Sequence, residues 1–157
     1  MDVCNNYTVL SEPDRAQGHI VTNTNNYRSD RYDLVPGWYR FQGAAGDRMA
    51  GKCVPMYHCG TQNPIWLSGA HPTVAEGVVI RTVCHTVNYT CCPWYENIRV
   101  KNCGAYFVYA LPMVYGGYSR YCGNAGAGKI LRMFLIISLS KVGRYFLISS
   151  NATICLD

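Results

Sequence analysis

The chain has 157 residues, nine of them cysteine, with 15% charged residues and a formal net charge of +5. That length suits one domain, or one domain with a tail, and the cysteine content points to an oxidising compartment. A nucleic-acid footprint is excluded as the organising feature: up to Cys122 ten Lys and Arg stand against eight Asp and Glu with no basic run, and the excess sits beyond Gly123, four against one.

Met1-Asp2-Val3-Cys4 has neither the basic start nor the apolar run of an export signal, which conflicts with the cysteine content. The expectation is a fragment, or a gene model lacking its first exon, of a secreted or cell-surface protein. Residues 7–10 predict a short strand, followed by a polar loop to residue 35 broken by Asn23, Asn25, Asn26, Asp30 and Asp33. After the Pro36-Gly37 turn, Gly37-Trp38-Tyr39-Arg40-Phe41 alternates as a strand with Trp38 or Tyr39 inward. Residues 43–47 form a Gly/Ala turn leading to Cys53. Pro64-Ile65-Trp66-Leu67 is a short apolar segment closed by Ser68 to Pro72. Residues 77–84 are the most strand-like run, rich in β-branched side chains. Residues 96–103 alternate charge with apolar groups, and 105–111 form a further strand stopped by Pro112. No stretch before residue 122 keeps helical spacing over three turns. The expected fold class is mainly β with small α content, a disulfide-rich single extracellular domain with long loops.

Residues 123–157 differ in kind. A Gly-rich linker over 123–128 precedes an apolar stretch over 130–148 that Arg132, Lys141 and Arg144 interrupt. Its longest uninterrupted run, 133–139, falls far short of the ~20 residues a bilayer span needs, and each charge costs about 2.5–3.5 kcal/mol at a span's centre. The tail is expected not to cross a membrane. It reads as a non-native or poorly ordered extension, or as an interfacial helix.

The eight cysteines up to residue 122 allow 105 connectivities, and Cys155 leaves an odd count. Zinc enters consideration because His58 precedes Cys59 and His85 follows Cys84. No Cys-x-x-Cys knuckle occurs, however, and the adjacent Cys91 and Cys92 do not readily turn both sulfurs onto one tetrahedral ion, so neither metal nor cofactor is expected. His19, His58, His71 and His85 are scattered, and no Ser or Cys sits in a nucleophile elbow. A hydrolase would need His71 or His85 paired with Asp47 or Glu76. Trp38, Trp66 and Trp94 either pack or line a sugar-binding face. Asn6-Tyr7-Thr8, Asn88-Tyr89-Thr90 and Asn151-Ala152-Thr153 are N-glycosylation sequons, with Asn88 in the short loop between Cys84 and Cys91.

Cys4 to Leu10, Gly37-Trp38-Tyr39-Arg40-Phe41, Arg48-Met49-Ala50, Cys53-Val54-Pro55, Cys59-Gly60-Thr61, Pro64 to Pro72, Glu76-Gly77 and Cys91-Cys92 together resemble the eight-cysteine domain of the uromodulin, zymogen-granule glycoprotein and liver-specific zona pellucida family. The resemblance covers residues 4–122. It implies the pairing Cys4 with Cys103, Cys53 with Cys91, Cys59 with Cys122 and Cys84 with Cys92; two further cysteines of the uromodulin version are absent here together. It also implies a non-catalytic interaction module within a larger multidomain protein; with the sequons, the expectation is a module presenting N-glycans at Asn6 and Asn88 and an aromatic surface to microbial lectins or extracellular proteins. In such relatives a high-mannose glycan on this domain captures the mannose-binding adhesin of type 1 fimbriae. Residues 66–70 and 108–112 here lack the sequons that similar proteins carry. The rival readings are a structural spacer module and a lectin that reads sugars.

Overall fold

A computed structural model describes residues 2–126 and the backbone pairing of Ile148–Ser149 with Ala152–Thr153. The expectations for residues 130–147, for the sequon at Asn151 and for Cys155 lie outside the described residues. Seven strands form one sheet: β1 (Thr8–Leu10), β2 (Gly37–Phe41), β3 (Asn63–Ser68), β4 (Val78–Val87), β5 (Thr90–Asn102), β6 (Phe107–Leu111) and β7 (Ser119–Tyr121). Their order is β1-β2-β6-β5-β4-β3-β7. The two edge strands pair in parallel, β1 with β2 and β7 with β3, and all other neighbours are antiparallel. One helical turn, α1 (Asp30–Asp33), and several single 3-10 turns make up the small α content. Among the described residues no helix is long and apolar enough to cross a membrane.

The β4–β5 hairpin is the spine. Its tip is the two-residue turn Asn88-Tyr89, both residues left-handed with φ of 49° and 61°, the twist that suits a tight hairpin. Here the structure departs from the expectation of a loop before a strand at residue 96, because β5 begins at Thr90 and runs through the cysteine doublet and Pro93. The register jumps from His85 opposite Trp94 to Val87 opposite Thr90, so residues 91–93 bulge out against Thr86. A proline lacks the ladder donor and is tolerated in such a bulge.

Alternation sorts the sheet into two faces. On one, Leu10, Tyr39, Phe41, Ile65, Leu67, Val83, Ile98, Val100, Tyr109, Leu111 and Tyr121 form the main core; of the Trp38/Tyr39 alternatives, Tyr39 turns inward. At the β3–β4 end the opposite face is covered by the segment after Met49, where Ala50, Val54 and Cys59 pack on Trp66, Cys84 and Cys122. This double cover is why β3 is buried along its middle.

The long segment between β1 and β2 is held down by ions. Arg15, 1% exposed, donates from both terminal nitrogens to Asp30, at 2.8 and 2.9 Å, and to the Tyr121 carbonyl. Asp30 also accepts the Tyr121 N–H at 2.9 Å, while Ser29 caps α1 by accepting from the Arg31 N–H. Arg120 pairs with Asp14 at 2.9 Å and donates to the Cys59 carbonyl. Residues 123–125, read as linker, are instead bonded into the fold: Gly123 N–H to Arg15 O, Gln17 N–H to Gly123 O, Asn124 N–H to Arg48 O and Ala125 N–H to Ala45 O. A Cβ at Gly123 would collide with the Ala45 carbonyl. Close backbone approach, not flexibility, requires this glycine.

Candidate functional site

Four disulfides fix the surface: Cys4–Cys103, Cys53–Cys91, Cys59–Cys122 and Cys84–Cys92. Because neighbouring strand residues point in different directions, the Cys91-Cys92 doublet ties the hairpin at two places, to the covering segment through Cys53 and to β4 through Cys84. The Tyr89 N–H donates to Met56 Sδ at 3.1 Å, which pins the turn to the same segment. Asn88 stands exposed on this clamped tip.

Asn6 is also exposed, two residues after Cys4 and just beyond a 3-10 turn (Val3–Asn5) whose cap is Asp2 accepting from the Cys4 N–H. The Tyr106 hydroxyl donates to the Cys4 carbonyl at 2.6 Å. Arg40 stacks 3.9 Å above the Tyr106 ring and donates to the Tyr7 hydroxyl, a hydrogen bond that lowers the Tyr7 phenol below its ordinary pKa. Asn6 and Asn88 thus each lie within three residues of a disulfide and are exposed to solvent.

The three tryptophans do not share a face. Trp66 is buried and donates its indole N–H to Thr86 Oγ1 and the Cys91 carbonyl. Trp38 is half-buried beneath the Arg99 guanidinium, and its strand partner Ala110 continues the row to Arg99. Trp94 is exposed beside His85, in register with the core side of the sheet. They form no common sugar platform.

His58, His71 and His85 are engaged structurally, while His19 is exposed. Asp47 bonds Arg48 and Asn124, and Glu76 bonds Arg81 and Thr73, so neither carboxylate takes the histidine pairing a hydrolase would need. His85 instead meets Glu96 at 3.4 Å, which also accepts the Tyr121 hydroxyl. His58 Nδ1 bonds the Gln17 carbonyl. All eight cysteines among the described residues are in disulfides, so none offers a thiolate, and among the described residues no group of three His, Cys, Asp or Glu is placed to hold a metal.

His71 carries a consequence for pH. The buried Tyr109 hydroxyl accepts the Met49 N–H at 3.0 Å and stands 2.8 Å from His71 Nε2, a hydrogen bond whose direction follows the imidazole tautomer. Burial, with the Arg48 charge next, lowers the His71 pKa from 6.5 to about 4. Between those values the unfolded chain takes up the proton first, so stability is full above pH 6.5 and falls as pH drops towards 4. Since solvent still reaches the ring, the expected loss is on the order of 1–2 kcal/mol, below the full value of the shift. Urea unfolding across this range tests it: the loss should shrink in His71→Gln, and an equal loss in that variant would refute the assignment.

Sequence reasoning missed the Arg15–Asp30–Arg120 ion cluster, since charges in an Asn-rich stretch read as solvated loop. It also missed a file of rings, Tyr118, Tyr27, Tyr57 and Tyr89, with successive centroids 5.5, 6.2 and 6.4 Å apart. No spacing signal links these four positions.

Comparison with known proteins matches residues 39–123 to the family of the uromodulin-like domain of eight cysteines. The chain is 45% identical over 125 residues to the dog pancreatic secretory granule membrane major glycoprotein GP2, covering 79% of this chain and 24% of that protein. It is 39% identical over 123 residues to human GP2, covering 77% and 22%, and 42% identical over 111 residues to mouse uromodulin, covering 70% and 16%. The chain thus spans about a quarter or less of the length of these curated relatives.

Proposed function

The chain belongs to the uromodulin-like eight-cysteine domain family, and from that premise we propose that residues 4–122 serve as a non-catalytic extracellular module of a larger protein, presenting N-glycans at Asn6 and Asn88 to carbohydrate-binding partners such as microbial adhesins. The observation that carries this reading is the position of Asn88: exposed at the tip of a two-residue turn, with two disulfides and the Met56 contact holding its base. A glycan on a clamped tip is offered at a defined place, and less ordering entropy is lost when a partner takes it. Asn6, anchored by Cys4–Cys103, supplies a second such point. Two relatives with similar sequence are named as glycoproteins of secretory granule membranes, in keeping with passage through the secretory pathway.

The test is to secrete the chain from eukaryotic cells, map its glycopeptides and pass it over an immobilised mannose-binding fimbrial adhesin. Hexose-bearing peptides at Asn6 and Asn88 are expected, with retention lost in the Asn6→Gln/Asn88→Gln double variant, parent and variant both carrying Asn151→Gln to silence the third sequon. Unoccupied sequons, or full retention of the double variant, would overturn the proposal. The spacer reading draws on the small share of each relative that the chain covers. It gains if both sequons are occupied and no lectin is held.

A further inference from the structure

We infer that a second site, independent of glycan display, lies between the Asn-rich segment 19–28 and the Cys59-Gly60 corner and binds the hydroxyl-rich face of a neutral oligosaccharide. The cleft there has a volume of about 570 Å³, and its lining includes His19, Thr22, Asn23, Asn25, Asn26 and Arg28. A neighbouring hollow of about 530 Å³ shares Asp14, His19 and Arg28 with it and reaches back to Arg120.

The walls are set before any ligand arrives. Val21 N–H bonds the Tyr57 carbonyl at 2.7 Å, Cys59 N–H the His19 carbonyl at 2.9 Å and Arg28 N–H the Gly60 carbonyl at 2.7 Å. Thr61 Oγ1 donates to the Arg28 carbonyl, and the corner itself is fixed by Cys59–Cys122. The corner turns through residues with positive φ, ending at Gly60, where a Cβ would meet Arg120 Nη1 at 2.7 Å. A polar loop tied at four points to a disulfide corner is preorganised, which limits the entropy lost on binding.

The side chains suit vicinal hydroxyls, each of which donates and accepts. Asn23, Asn25 and Asn26 offer amides that do both. Arg28 and Asp14 place a donor fork beside an acceptor, loosely paired at 3.7 Å with Arg28 61% exposed, so a ligand can insert between them. Behind them Arg120 is 3% exposed and its Nε has no hydrogen-bond partner among the described residues. Tyr27 lines the cleft as one rung of the tyrosine file, adding aromatic surface for the C–H side of a pyranose. Glu12, Asp14 and Asp33 outnumber Arg28 and Arg120 around the two hollows, which disfavours an anionic sugar.

The test uses the secreted 157-residue chain carrying Asn6→Gln/Asn88→Gln/Asn151→Gln, or the parent stripped by a peptide N-glycosidase if the variant is not secreted, on an array of immobilised neutral and sialylated oligosaccharides. Binding to a subset of the neutral sugars is expected. Adding Asn25→Ala/Asn26→Ala should weaken it by about tenfold or more with no change in Tm, while Trp94→Ala, outside the cleft, should bind as the parent does. Three outcomes overturn the inference: no neutral sugar held above background, equal binding by the Asn25/Asn26 variant, or binding that vanishes once the protein's own glycans are removed. The last would leave glycan display standing, so the two proposals fail separately.

Discussion

Replacing Asp30 with alanine is expected to lower stability by about 3–5 kcal/mol, a fall of roughly 10–20 °C in Tm. Asp30 is fully buried and accepts three hydrogen bonds, two from Arg15 and one from the Tyr121 N–H, with Arg120 Nε 3.8 Å away. Burial works against the Arg15 charge, yet Asp30 and then Glu12 raise its pKa above the ordinary value. Arg120 goes the other way, lowered by burial and then by Arg15. The contrast has a geometric cause: the carboxylate grips Arg15 bidentately and Arg120 only at a distance. Without Asp30 two buried guanidinium groups face each other with Glu12 and Asp14 at their rim, and the β1–β2 segment loses its hold on β7. Thermal denaturation of Asp30→Ala beside Arg48→Ala decides the matter. The Arg48–Asp47 pair is exposed and should contribute at most about 1 kcal/mol. Similar losses in the two variants would show that the buried cluster is not the clamp inferred here.

The second large effect concerns loop length. Cys4–Cys103 closes a sequence separation of 99, and Cys84–Cys92 one of 8. In the chain-entropy account, losing the first should cost about 4.7 kcal/mol and losing the second about 2.6 kcal/mol. Cys4→Ser/Cys103→Ser should therefore unfold at a clearly lower urea concentration than Cys84→Ser/Cys92→Ser. The first also releases the N-terminal segment that carries Asn6 and lets Tyr7 leave Tyr106 and Arg40, whereas the second leaves the hairpin's own ladder intact. The reverse order of midpoints would mean that strain at the bulge, not loop entropy, dominates.

The strands with dense β-branched or alternating patterns were legible in the sequence: β2 and the second half of β5 alternate, β4 is rich in β-branched residues, and β6 is an apolar run stopped by Pro112. The first half of β5 was not, because Pro93 and the cysteine doublet read as punctuation until the bulge opposite Thr86 shows where the missing donor goes. β7 is three residues long and pairs in parallel with β3, a partner more than fifty positions earlier, so nothing local announces it. Gly123 read as flexibility although it marks a tight crossing. For the candidate sites, the sequons are short strings and easily found, but their exposure depends on turn geometry. Spacing alone left the cysteine partners open. The cleft at residues 19–28 and the ion cluster behind it are assembled from an Asn-rich stretch with no periodicity; only the fold brings Asp14, Arg28, Gly60 and Arg120 together.

One consequence of the disulfide layout concerns proteolysis. The Asn88-Tyr89 tip is exposed, with Tyr89 80% accessible, and exposed turn tips are where proteases cut. Each of the four bonds joins a cysteine before this turn to one after it. A single cut at the tip would divide the chain in sequence without dividing the molecule: the two pieces would stay fastened at four places, the sheet would remain paired, and neither the Asn6 anchor nor the cleft would be released. In a protease-rich fluid, cleavage at the tip becomes damage the domain survives.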